Sequence, residues 1–424
     1  MRLEEKNIKK YFNIDWIQLF LIGLTAPFFL FPSIKFVWIF LIIPGVWICR
    51  WIVKNNFFER TSLDWALFIL LIQVFATCII VPDISFSLPK IAGVFFGLAF
   101  FYSIASLVTS EKLIRWGILS YLGSGLLLLI ICIFGIKWDR EIYFIKIMRK
   151  IEKIIPRINL NLPGAEKGFN SNAVGGTLIL ILPLCLVLFL VYFKRKKENY
   201  LIFHSLFPLI FFSIILFVGS TLLFFTLSIG SWIGLAISLW ILLFSWKWKK
   251  WSLVIILFLA ILMSLLTPAK MTKLISIVKK DIVIRESSWI VGIDTISQHP
   301  LFGIGMNRFR EIPNIGYKRA HAHNHLLHTG AELGIPGLMA YLAVLFAAGY
   351  MCYEIWKKSK IGWMRMAALG LGSGQLAHLI FGMADSIPLG AKVGIFFWFS
   401  LGLITAMYNY MVRETKGIEL LTYK

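Results

Sequence analysis

The chain has 424 residues, of which 59% are hydrophobic and only 15% charged, with a formal net charge of +22. So apolar a composition excludes a water-soluble globular domain and reads as an integral membrane protein. The five cysteines (Cys49, Cys78, Cys132, Cys185 and Cys352) all fall inside apolar runs, which excludes a disulfide framework and a cysteine metal site.

A helix needs about 20 apolar residues to cross a hydrocarbon core, and about twelve such runs are present. Residues 14–31, 34–53, 62–81, 91–108 and 116–136 come first, and 171–193, 200–219, 221–245 and 252–267 form a middle group. Residues 334–356, 366–385 and 391–412 close the series. No alternating barrel pattern occurs, and backbone groups in lipid must be bonded within their own segment, so the runs read as helices. The expected fold is all-α and polytopic, one membrane domain over 1–424. Residues 1–13 are polar and no small-residue cleavage site follows the first run, so no cleavable signal is read.

Basic clusters recur after every second run: Lys194–Lys197, then Lys247, Lys249 and Lys250, then Lys357, Lys358 and Lys360. Arg2, Lys6, Lys9 and Lys10 at one terminus and Arg413 and Lys416 at the other fit the same side. By the enrichment of Lys and Arg in short cytoplasmic loops, both termini are expected in the cytoplasm. Segments 137–168 and 268–333 then face the periplasm or its equivalent, the second as a large helical loop between spans nine and ten.

Both outer segments are themselves basic, and long outer loops tolerate that. An anionic partner is implied, with membrane phospholipid headgroups and phosphorylated lipids favoured over nucleic acid. In the first segment, Ile142, Ile145, Met148, Ile151 and Ile155 recur at helical spacing opposite Lys146, Arg149, Lys150 and Lys153. This predicts an interfacial amphipathic helix over 141–155, ended by Pro156. A loop as long as the second is more often functional than merely connecting. Two helices are predicted in it, over 271–279 and 285–298, the second stopped by His299-Pro300. A glycine turn, Leu301-Phe302-Gly303-Ile304-Gly305, follows, and a short helix begins near Asn307.

Four of the seven histidines, His321, His323, His325 and His328, fall just before the tenth run, with Glu332, Gly334 and Gly337 following. A neutral imidazole accepts a proton near pH 7, so His323 beside Asn324 is a candidate general base. Glu332 would orient a histidine or cap a helix. The plainer reading is an interfacial cluster solvating a helix end. A third is a metal site with the four histidines as ligands, although no HExxH pattern and no cysteine assists. Arg285, one turn before Trp289, has the planar fork that suits phosphate, and equally the form of an interface anchor. Asn170 and Asn172 lie at the outer start of the sixth run, where they cap it or meet sugar hydroxyls. Ser228, Gly230, Ser231 and Gly234 permit close helix packing at the eighth. Gln375 and His378 in the eleventh read as facing the bundle interior.

The run from Arg285 through Trp289, His299-Pro300-Leu301-Phe302-Gly303-Ile304-Gly305, His323-Asn324 and Glu332-X-Gly334-X-X-Gly337 resembles the signature of the O-antigen ligase/polymerase family. The resemblance is specific from about Thr221 to Gly337 and rests elsewhere on span number. It implies a bacterial inner-membrane glycosyltransferase that moves a glycan from undecaprenyl diphosphate to an acceptor hydroxyl, with no metal or other cofactor. By resemblance His323 is the base and Arg285 holds the diphosphate. The family's second arginine, at the outer start of a central span, is replaced here by Ile229. Arg308, Arg310, Arg319 or Lys280 would then compensate, or diphosphate binding is weaker than in typical members. Asn324, Glu332 and Asn172 complete the expected substrate contacts.

A lipid A-core sugar is the first choice of acceptor and a second lipid-linked glycan, making the enzyme a polymerase, the alternative. A protein O-glycosyltransferase fits less well. A lipid-polysaccharide transporter is the rival of a different class, and the scarcity of ionisable residues within the spans speaks against it.

Overall fold

The computed structural model describes residues 14–30, 34–135, 169–194, 207–245, 268–313 and 321–422. Among them are twelve α-helices and no strand. In chain order these are α1 (Ile14–Leu30), α2 (Ile42–Lys54), α3 (Asp64–Ile80), α4 (Ile84–Leu107), α5 (Glu111–Gly135) and α6 (Ser171–Lys194). There follow α7 (Phe207–Phe225), α8 (Ile229–Ser245), α9 (Pro268–Gln298), α10 (His325–Lys358), α11 (Gly362–Gly382) and α12 (Ile395–Thr422). Six of them are long and apolar enough to cross a membrane, and three shorter apolar helices accompany these. The all-α polytopic expectation therefore stands. The span at 252–267 and the amphipathic helix at 141–155 lie outside the described residues.

Several boundaries move, each for a local reason. The second run enters as a 3-10 helix, Ile34–Leu41, before α2. Helix α4 begins seven residues ahead of the expected start at 91, because Asp83 caps it by accepting the Ser85 amide at 3.0 Å. These seven residues, about two turns, bring Phe86 and Lys90 into the helix. Helix α7 runs on to Phe225 and the chain turns at 226–228, not at 220; Leu227 adopts φ +51° there. The two helices expected in the large loop are one. Lys280–Ile284 contains no glycine or proline, so nothing interrupts α9.

The core gathers around α6, where Val174, Leu178, Ile181, Leu184 and Leu188 are buried. Helix α11 lies close against it: a Cβ at Gly374 would stand 2.5 Å from the Leu180 carbonyl oxygen. Gly234 likewise brings α8 to the Ala377 carbonyl of α11, and Gly175 brings α6 against Ser228 and Ser231. The small-residue motif at the eighth run is thus a packing device. Gln375 and His378 are buried in the bundle, as expected, with His378 Nδ1 3.1 Å from the Gly176 oxygen.

One end of the bundle collects the α3–α4 and α7–α8 turns, the start of α6, the loop after α9, the histidines and the α11–α12 loop. Thr77 Oγ1 accepts from the Met306 amide at 3.3 Å, Asn307 donates to the Phe86 oxygen at 2.7 Å, and Asn172 donates to Asp385 at 2.7 Å. The opposite end holds a buried ion cluster in which Arg50 meets Asp15 at 3.1 Å and Glu59 at 3.3 Å.

Candidate functional site

The glycines of the large loop build the platform for the histidines. After α9 stops, Gly303 (φ +66°) and Gly305 (φ +92°) turn the chain back on itself. The Ile304 amide then donates to Ala331 O at 2.9 Å and the Gly305 amide to Glu332 O at 3.0 Å. These carbonyls are available because α10 is interrupted at Gly334, with φ 72° and ψ 179°. On the far side of the break Ile335 donates to Pro300 O at 2.7 Å. The fit is mutual: a Cβ at Gly303 would stand 2.4 Å from Glu332 C, and one at Gly334 2.5 Å from Leu301 O. Gln73 of α3, its amide nitrogen turned to the carbonyls, donates to Leu301 O and Leu333 O at 3.1 Å each. A helix broken in a buried place thus has its backbone groups met by the loop.

The four histidines divide into two pairs. Asn324 caps α10, accepting the amides of Leu326 and Leu327 at 3.0 and 3.1 Å. That register turns His325 and His328, three residues apart, into the protein. His325 Nδ1 lies 3.4 Å from Ser386 Oγ, with its ring against Tyr341. His328 Nε2 lies 3.5 Å from Glu332 Oε2. His321 and His323 precede the cap and converge instead on Asp385, in the α11–α12 loop. His321 Nε2 is 2.8 Å and His323 Nδ1 3.5 Å from the same oxygen, Oδ1. The four-histidine metal set does not gather; His321, His323 and Asp385 offer ligand atoms within 4.8 Å of one another.

Asp385 is 5% exposed. Asn172 donates to its Oδ2 at 2.7 Å and the Ser386 amide to its Oδ1 at 2.8 Å. Burial pushes this carboxyl up, but the His321 hydrogen bond and the charge of the His321 and His323 imidazoles outweigh burial and hold it well below the usual carboxylate range. It is a fixed anion beside two imidazoles. His323 sits at φ +49°, a left-handed backbone uncommon for a residue with a Cβ. Its carbonyl accepts the Trp289 indole N–H at 3.2 Å, which ties the histidine segment to α9.

Arg285 is half-buried, one turn before Trp289 on α9, and its Nη1 is buried with no hydrogen-bond partner among the described residues. A solvent-shielded guanidinium N–H left unmet is costly and is what an anionic ligand satisfies. Arg308 is paired with Glu311 at 2.6 Å, and the guanidiniums of Arg308 and Arg310 lie over the Phe86 ring at 5.9 and 5.7 Å. Glu332 is buried; its carboxylate accepts the Phe309 amide at 3.5 Å and faces His328. Asn170 accepts the Asn172 amide at 2.8 Å, an Asx turn leading into α6. Lys280 lies within α9, and Arg319 lies outside the described residues.

Two residues at this end had no place in the sequence-based site. Asp385 read as the last residue of the eleventh run. Lys90 is a cation in an otherwise apolar helix, half-buried and within electrostatic reach of Glu332 and Arg310. A lone charge at the end of an apolar run was the available signal for each.

Residues 214–342 match the family model for O-antigen ligase. The matched stretch holds Arg285, Trp289, the glycine loop and all four clustered histidines; Asn172 and Asp385 lie outside it. No curated protein matches the chain. Over this stretch, less than half of the chain, the protein is similar to the O-antigen ligase family.

Proposed function

We propose that the protein transfers a glycan from an undecaprenyl-diphosphate donor to a sugar hydroxyl of a lipid A-core acceptor. The reaction takes place at the periplasmic face of the bacterial inner membrane, and both termini lie in the cytoplasm. The observation that carries this reading is the tie between two elements. His323 sits beside the buried Asp385 carboxylate, and its carbonyl is bonded to Trp289, one turn from the unmet Arg285 guanidinium.

The chemistry follows from these positions. Asp385 faces Nδ1 of His323, which favours the tautomer protonated there and leaves Nε2 to accept a proton. Nε2 takes the hydroxyl proton of the acceptor as its oxygen forms the bond to the anomeric carbon. The bond from that carbon to the diphosphate oxygen breaks with its electron pair, and Arg285 holds the departing charge. A diphosphate leaves without protonation by a carboxylic acid, so the paired acids of glycoside hydrolysis are not required. One displacement inverts the anomeric centre. Arg310, over Phe86, and Lys90 add positive potential at the same end in place of a cation at Ile229. The cationic side chains do the neutralising, so chelators are expected to leave the rate undiminished.

The test is reconstitution of the purified protein in nanodiscs with lipid-linked glycan, with and without lipid A-core. Glycan on lipid A-core, inverted at the new bond, supports the ligase reading. Chain growth on the donor alone makes the protein a polymerase. Retention at the anomeric carbon refutes the single displacement.

A further inference from the structure

We infer that His321, His323 and Asp385 form a binding site for a zinc-like divalent metal ion, and that its occupancy shuts off the transfer. Three observations converge. The donor atoms are already grouped: His321 Nε2 and His323 Nδ1 stand 2.8 and 3.5 Å from Asp385 Oδ1, and all lie within 4.8 Å. Tetrahedral bonds of about 2.0 Å to nitrogen and oxygen put neighbouring ligand atoms about 3.3 Å apart, so small side-chain rotations suffice. The carboxylate is held as outer-shell partners hold a metal ligand, by Asn172 Nδ2 on Oδ2 at 2.7 Å and by the Ser386 amide at 2.8 Å. Finally, His323 Nδ1 is buried and makes no hydrogen bond among the described residues. It points toward the carboxylate with a lone pair or a proton unmatched.

Two imidazoles and one carboxylate suit zinc, cobalt or nickel rather than magnesium or calcium, which prefer all-oxygen shells. Three protein ligands leave a fourth position open to water. A metal on Nδ1 of His323 draws electron density from the ring and makes Nε2 a poorer base. It also takes Asp385 away from its orienting contact. Only this inhibitory half rests on His323 acting as the base; the binding half stands on geometry alone.

The experiment titrates cobalt(II) chloride into tag-free full-length protein in nanodiscs, following visible d–d absorption, and then displaces the cobalt with zinc chloride. One ion per chain is expected. His321→Ala should abolish the absorption, and Asn172→Ala should weaken binding about 10–100-fold as loss of an outer-shell partner does. Thermal melts without metal verify that the variants are folded, and Asp385→Asn, which preserves size, provides a second ligand deletion if His321→Ala is not. Glycan transfer measured across the same zinc titration should fall in step with occupancy and recover on chelation. Equal cobalt binding by the parent and both ligand variants overturns the site and leaves the base assignment standing. Binding as expected with transfer unslowed overturns the inhibition and, with it, the role of His323.

Discussion

Replacing Gly334 with alanine should unfold the platform under the histidines, and the structure gives the size of the effect. The residue sits at φ 72° and ψ 179°, a region that side chains other than glycine's hydrogen avoid. Strain there costs on the order of 1–3 kcal/mol. The new methyl would stand 2.5 Å from Leu301 O and 2.9 Å from Phe302 N, both backbone atoms without freedom to rotate away. The loop must move, which endangers the Ile335-to-Pro300 bond and the Gln73 amide contacts, each worth about 1 kcal/mol. Together the loss is about 3–5 kcal/mol, a shift of roughly a thousandfold in the folding equilibrium. Gly349, farther along α10, supplies the control, since a Cβ there meets nothing within 4 Å. Alanine at 349 should be neutral or stabilise by up to about 1 kcal/mol. Denaturant titration of both variants in detergent micelles reads the difference. Equal midpoints for Gly334→Ala and the parent would refute the interlock of loop and broken helix.

Other consequences are more local. Asn324→Ala removes the acceptor of two α10 amides and should cost about 1 kcal/mol, read as a lowered melting temperature; Asn324→Asp should restore most of it. His323→Ala should lower kcat about 10²–10⁴-fold while donor binding, followed by the retention of labelled lipid-linked glycan, stays the same. Arg285→Lys keeps the charge but loses the bidentate fork, so donor KM should rise and kcat fall. Unchanged kinetics in that variant would return Arg285 to interface anchoring. Asp385→Asn should lower kcat more than it lowers the melting temperature, because its partner atom on His323 is in the reaction; a loss confined to stability would leave Asp385 a packing residue.

How much of this could be read beforehand varies with range. Apolar runs long enough to cross a bilayer announce themselves, and most helices match them within a few residues. Boundaries that depend on a cap or a turn shifted: a hydropathy window averages over Asp83 and over the 226–228 turn alike. The glycine motif was visible as a motif, but its reason was not. Gly303 and Gly334 are needed together, across 31 positions of sequence, because each faces the backbone of the residues just ahead of the other. The histidines were legible as a cluster, and their division into an inward and an outward pair follows from where Asn324 starts the helix. Asp385 was hidden because its partners Asn172 and His321 lie 213 and 64 residues away. No local pattern joins them, and only the packing of α6, α10 and α11 brings them to one point.

The most direct measurement is a cryo-electron microscopy map of the protein in nanodiscs with an undecaprenyl-diphosphate-linked glycan bound to the inactive His323→Ala variant. The account predicts diphosphate density against the Arg285 guanidinium, with the first sugar directed to the space vacated beside Asp385. Density for the diphosphate at the opposite end of the bundle, or with its sugar turned away from residue 323, would contradict it.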